Sequence, residues 1–235
     1  NHADAIVFSA ISYTENAPAI DAAVSAGIKV VVIDSDVDSD GVSARIGTDN
    51  VEAGRISAAA ALDAEPDDLV VGIINCYAET QNCQEREQGF REALSSSSRV
   101  KGIYTVNTST DAGLAEQAAI QLLQEHPEIN VLIGFNEPLA VGTARAVEEL
   151  GLAGHVRTIA FDSNVECIEL LQDGVVSALI VQNPYAMGYL GVEKAWEALQ
   201  GKDFDSAAPI DTATLTITKD NLFSMESQKA LFSFS

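Results

Sequence analysis

Short apolar runs recur along this chain, and several end on a single polar residue. Lys29-Val30-Val31-Val32-Ile33 runs into Asp34, and Val131-Leu132-Ile133-Gly134-Phe135 into Asn136. Thr158-Ile159-Ala160-Phe161 is followed by Asp162, and Ala178-Leu179-Ile180-Val181 by Gln182. Arg86 lies in the helical pattern that follows Leu69-Val70-Val71-Gly72-Ile73-Ile74. Runs without polar alternation are strands covered on both faces, and a helical pattern accompanies each of them. The alternation predicts an α/β chain with mostly parallel sheets. In open sheets of that kind the strand carboxyl ends line the ligand crevice. Polar groups collected there point to a small-molecule site.

The remaining segments fit the same rhythm. Ala5–Phe8 reads as a strand and Glu15–Ala26 as a helix, with Thr14 as its cap and Gly27 at its end. Ser43–Gly47 is extended, and Asn50–Leu62 is an Ala-rich helix capped by Asp49 or Asn50. Cys83–Leu94 is helical and stops at a run of four serines; Gly102–Val106 is extended. Helices over Ala112–Glu125, Leu139–Leu150, Val165–Leu171 and Ala186–Leu199 follow, and the alternating Thr212–Ile217 reads as one strand. Trp196, on the helix over Ala186–Leu199, reads as a core residue.

Charge excludes several partners. The 235 residues carry 35 acidic and 13 basic side chains, a formal net charge of −22. Phosphate neutralisation needs Lys and Arg, so nucleic acid is not an expected partner, and an anionic lipid surface is disfavoured for the same reason. No apolar run approaches the length of a membrane span. The three cysteines have no zinc spacing, and sequence leaves open whether Cys76 and Cys83 are bridged. The scattered His2, His126 and His155 read as structural, and the acidic run Asp34–Asp40 reads as a solvated turn because it lacks the glycine and closing glutamate of a calcium loop. No metal and no cofactor are expected.

The segments Asp4-Ala5-Ile6-Val7, Ala26–Asp34, Gly47-Thr48-Asp49-Asn50-Val51-Glu52-Ala53-Gly54, Gln84–Phe90, Phe135–Gly142 and Ala160-Phe161-Asp162 form one ordered series. In that series the chain resembles the type I periplasmic sugar-binding proteins of the ribose-binding kind. The resemblance implies two Rossmann-like lobes, residues 1–48 plus 183–211 and residues 49–182 plus 212–235. Three crossovers would join them, with hinges near Thr48-Asp49, Gln182-Asn183 and Asp211-Thr212. The lobes would close on a monosaccharide or polyol, which the receptor delivers to the membrane permease of an ABC importer. The location implied is periplasmic or cell-surface.

Carried over position by position, the sugar contacts are Asp34, Arg86, Asn136, Asp162 and Gln182. Carboxylates accept from adjacent hydroxyls, a guanidinium donates a planar fork, and amides do both. Ser35 stands where the ribose-type pattern has an arginine, and the aromatic platform of that pattern is replaced at Thr110. Tyr13 and Tyr77 are the substitutes at hand, and the changed set points away from ribose itself. Members of the family also begin with a strand-helix-strand-helix unit ahead of Asp4. The expectation is therefore a truncated first lobe: completed by an associated N-terminal fragment, completed by exchange with a neighbouring chain, or left as part of a stable remnant dominated by the C-terminal lobe.

Two alternatives remain beside the receptor. One is the effector domain of a LacI-type regulator or a sensor ectodomain; the other is an α/β enzyme acting on a sugar. The sequence has no Gly-x-Gly-x-x-Gly after a strand, no Gly-x-Ser-x-Gly elbow and no phosphate loop, so it is read as a non-enzyme.

Overall fold

The computed structural model describes residues 2–77 and 81–232. From the N-terminus the chain forms β1 (Ala5–Phe8), α1 (Ala17–Ser25), β2 (Lys29–Ile33) and β3 (Ala44–Gly47). Then come α2 (Asn50–Ala64), β4 (Leu69–Cys76), α3 (Gln81–Ser95), β5 (Val100–Thr108), α4 (Ala112–Glu125) and β6 (Val131–Gly134). They are followed by α5 (Glu137–Glu149), β7 (Arg157–Phe161), α6 (Val165–Asp173), β8 (Val176–Val181) and α7 (Pro184–Leu199). The tail supplies β9 (Ile210–Asp211), β10 (Leu215–Ile217) and α8 (Met225–Leu231).

The chain divides into two compact units, Asn1–Asp49 with Glu79–Asn82 and Asn183–Ala213, and Asn50–Ala78 with Cys83–Gln182 and Thr214–Ser235. The first holds a four-stranded parallel sheet in the order β1-β2-β3-β9. Val30, Val31 and Val32 are buried from both sides. Edge strand β1 is only partly buried at all four positions. On one face, Val30 and Val32 pack with Ile20, Val37 and Val42. On the other, Val31 meets Met187 and Ala195 of α7. Gly191 lets α7 approach, since a Cβ there would lie 2.8 Å from Ile33 and 2.9 Å from Val7.

Trp196 is not in the core: it is 63% exposed. Residues 185, 189, 192, 196 and 199 lie four or three apart and share one helical face. All five are exposed, while the sheet-facing stripe is built from Met187, Gly191, Ala195 and Ala198. Apart from Met187, small residues line that stripe, and the five large ones point to water.

The second unit holds six strands in the order β10-β8-β7-β6-β4-β5, parallel except for antiparallel β10. Its core draws on residues from Ala53 to Leu222 and contains Phe90, Phe135 and Phe161 at zero exposure. Helices α2 and α3 touch through two glycines. A Cβ on Gly54 would overlap the Arg86 carbonyl, and one on Gly89 would overlap the Val51 carbonyl. That close approach sets the first turn of α2 beside the middle of α3.

Other local expectations shift for identifiable reasons. α1 begins at Ala17, because Pro18 fits the first turn of a helix. Asn16 precedes it, and its side chain accepts from the Ile11 and Ser12 N–H groups instead of capping. The expected strand over Thr212–Ile217 splits. Thr212 turns its N–H and Oγ1 to the Gly47 carbonyl beside β9, at 2.7 and 3.0 Å, and Leu215 begins pairing with Val181. α8, absent from the sequence reading, is one short helix capped by Ser224, whose Oγ accepts from Ser227 N–H at 3.1 Å.

Candidate functional site

Two aspartates share a backbone state found at no other non-glycine residue among those described. Asp34 has φ 61° and Asp162 has φ 66°. Left-handed backbone costs an L-residue about 1–2 kcal/mol, least for Asn and Asp, whose short side chains bond locally. Each aspartate follows a central strand and donates its N–H to the next one, Asp34 to Ile46 at 2.9 Å and Asp162 to Ile180 at 2.8 Å. The turn aims the carboxylate off the strand end. Strain of this kind gathers at functional sites.

In the second unit Arg86, Asn136, Asp162 and Gln182 each have defined partners. Arg86 is 2% exposed, with its guanidinium carbon 4.2 Å from the centre of the Phe161 ring. Its Nε donates to Asn50 Oδ1 at 2.9 Å and its Nη1 to the Phe135 carbonyl at 2.8 Å. Among the described residues, Nη2 donates to none. Asn136 caps α5, accepting from Leu139 N–H at 3.1 Å, and its Nδ2 lies 3.5 Å from the Cys83 sulfur. Asp162 accepts from Glu137 N–H at 3.2 Å and from the Gln182 amide. The ends of β6, β7 and β8 and the body of α3 thus carry a cation, a carboxylate and two amides, of which Asp162 and Gln182 are bonded to each other.

In the first unit Asp34 accepts from Ser9 Oγ and Ser35 Oγ, both at 3.3 Å. Asn82 Nδ2 donates to Ser35 Oγ at 3.2 Å. A shallow depression is lined by Ile11, Tyr13, Ser35, Asp36 and Asn82, with Ala10 and Gln81. Burial, then the carboxylates of Asp38 and Asp36, raise the Tyr13 phenol above its usual range, so it stays a hydroxyl. Asp36 is held by Arg45 Nε at 2.8 Å.

Tyr77 is exposed and donates its N–H to the Thr108 carbonyl at 3.3 Å; Thr110 is exposed on the turn before α4. Of the expected hinge residues, Asn183 caps α7 through Ala186 N–H at 2.9 Å. Asp211 pairs with Gly47, and burial followed by the nearby Asp49 raises its carboxyl above the ordinary range. Asn50 was missed as a site residue. Its Asn-then-Val start of a helix reads as a cap, but its amide is spent on Arg86 and, at 3.2 Å, on Glu85. The signal available was Gly54 and Gly89, each in a helical pattern where glycine is costly without a packing reason.

Comparison with known proteins bears on the family of the chain. The model of the periplasmic binding protein domain matches residues 1–203. The D-ribose/D-allose-binding protein of Pseudomonas aeruginosa is 29% identical over 207 residues, 85% of this chain and 64% of its own. The ribose import binding protein of Bacillus subtilis is 26% identical over 213 residues, 90% of this chain and 68% of its own. The chain therefore spans about two-thirds of the length of these relatives. Among solved structures, a glucose-galactose binding protein from Geobacillus stearothermophilus superposes with a TM-score of 0.86 at 31% identity, covering 94% of this chain and 78% of that one.

Proposed function

Because the chain belongs to the periplasmic binding protein domain family, we propose that it is an extracytoplasmic receptor that closes on a monosaccharide or polyol and delivers it to an ABC importer. Its hydrogen-bonding groups in this reading are Asp34, with Ser35 and Tyr13 as further ones, from the first unit, and Arg86, Asn136, Asp162 and Gln182 from the second. The observation that carries this reading is Arg86. Two of its nitrogens are committed to Asn50 and Phe135, so the guanidinium is rigid before any ligand arrives. Its third nitrogen then donates without a further ordering cost, which is how preorganisation raises affinity. A sugar hydroxyl both donates and accepts, and fits between such a donor and a carboxylate.

The relatives carry the names of binding proteins for ribose, allose, glucose and galactose. No turnover step is proposed for this chain. Ser35 lacks the charge of an arginine at the same place, and supports a ligand other than ribose. Binding can be tested by thermal shift against pentoses, hexoses, deoxyhexoses and inositols. Ligand at a hundred times its Kd adds about 2.7 kcal/mol of stability. A shift confined to one stereochemical series, and lost in Arg86→Ala, supports the receptor. Equal melting with every sugar, measured on the full-length gene product, defeats it.

A further inference from the structure

We infer that Cys76 and Cys83 are joined by a disulfide that clamps the first turn of α3, and through it Arg86, to the end of β4. Cys76 is the last residue of β4 and Cys83 lies in the first turn of α3; they are 4% and 2% exposed. Both carry thiols in the structure, and the Cys76 thiol is the largest influence on that of Cys83. The surrounding backbone is already tied across the same gap. Gln84 Nε2 donates to the Cys76 carbonyl at 3.0 Å, and Asn75 Nδ2 to the Cys83 carbonyl at 3.4 Å. These two bonds hold the end of β4 and the first turn of α3 side by side, the placement a bridge between them needs. Arg86 sits one residue short of a full turn beyond Cys83, so fixing that turn fixes the guanidinium's base.

Other uses of the pair fit less well. A thiolate nucleophile needs a lowered pKa, whereas the Cys76 thiol and burial both push the Cys83 thiol up, with only a smaller opposing pull from Arg86. A metal site needs more ligands, and no cluster of three or more His, Cys, Asp or Glu forms among the described residues. Oxidation breaks two S–H bonds and forms one S–S bond. Two protons go to solvent, and two electrons go to the disulfide of an exchange partner, which leaves as a dithiol. Burial makes thiolate scarce in the folded chain, so the exchange belongs to folding. The same burial then shields the finished bond from reductant, which makes it structural and not a switch.

The inference rests on the extracytoplasmic reading for its oxidant, since disulfides persist in oxidising compartments. Its test contains no sugar, so the two readings fail separately. The chain is refolded in a glutathione buffer of secretory-compartment poise, then alkylated in denaturant without reductant and digested for mass analysis. The expected result is a linked Cys76–Cys83 peptide, with Cys167 the one alkylated cysteine of the three. Cys167 lies on α6 at zero exposure, its thiol pushed up to about 12 by burial and then the nearby acidic side chains. Alkylation of all three, or a link to Cys167, overturns the inference. Unfolding in urea gives the second readout. The bridged form should have the higher midpoint; a midpoint equal to or below that of the reduced chain removes the clamp.

Discussion

The two units solve the same local problem on very different foundations. Each ends a central strand in a left-handed aspartate whose N–H reaches the neighbouring strand, at Asp34 in one and Asp162 in the other. Behind Asp162 lies a six-stranded sheet with one continuous core. Behind Asp34 lies a four-stranded sheet with two small apolar clusters, a partly exposed edge strand and a helix showing five large apolar residues to water. The site turn is thus a property of the strand end and its neighbour, not of the amount of core beneath it. Stability, by contrast, should be concentrated in the second unit.

Substitutions can break or sharpen that contrast. The largest effect should come from Gly89→Ala in α3. Its Cβ would overlap the Val51 carbonyl, and overpacking backbone against backbone should cost about 3 kcal/mol in urea unfolding. Gly188→Ala in α7 is the matching change in the first unit, and nothing lies within 4 Å of the added methyl. Arg86→Ala comes second. It leaves the buried Phe135 carbonyl and Asn50 amide without their donor and should lower stability by about 2 kcal/mol, with loss of the sugar-dependent thermal shift. Arg86→Lys should not restore that shift, because an ammonium cannot hold both partners in one plane.

Next in size, Asp34→Ala and Asp162→Ala should each cost about 1 kcal/mol, from alanine forced into positive φ. Similar costs at the two positions would support a local origin of the turn; a much larger one at Asp162 would tie it to the core. Gly188→Ala should then run opposite to Gly89→Ala and stabilise by about 0.7 kcal/mol, the helix-propensity gain alone. The smallest effect is expected at Asp211. Its raised carboxyl pKa means that the fold favours the protonated form. That contribution is present below the usual carboxylate range and is lost as pH rises through the raised value. Asp211→Asn should therefore stabilise at pH near 7 and not near 3. The side chain is exposed, so screening holds the gain to about 0.3 kcal/mol. Melting curves at the two pH values measure it.

The strands at the heart of both sheets were legible because they are covered on both sides. Val30–Val32 and Val131–Ile133 admit no polar residue, so the runs stand out against any background. The polar residues closing those runs were legible for the same reason. Their backbone state was not, since nothing in Ile33-Asp34-Ser35 requires a left-handed turn. Arg86 between Glu85 and Glu87 looks like a surface ion pair. The structure divides these charges: Glu85 takes the Asn50 amide, Glu87 takes Arg91 at 2.7 Å, and Arg86 turns inward under Phe161. That choice depends on the α2–α3 approach through Gly54 and Gly89, a contact between segments far apart in sequence. Trp196 was misjudged because a large apolar side chain is usually covered. Here the covered face of its helix holds Met187 with Gly191, Ala195 and Ala198, and Gly191 lets α7 lie close on the sheet.

Trp196 is also the chain's one tryptophan. Its indole is already wet in the folded state, so unfolding barely changes what surrounds the fluorophore. The emission spectrum should stay nearly constant while α7 melts. An intrinsic-fluorescence titration could therefore look flat for a protein that binds its ligand tightly. Far-ultraviolet circular dichroism, or a tryptophan placed at Phe161, would see the events that Trp196 cannot.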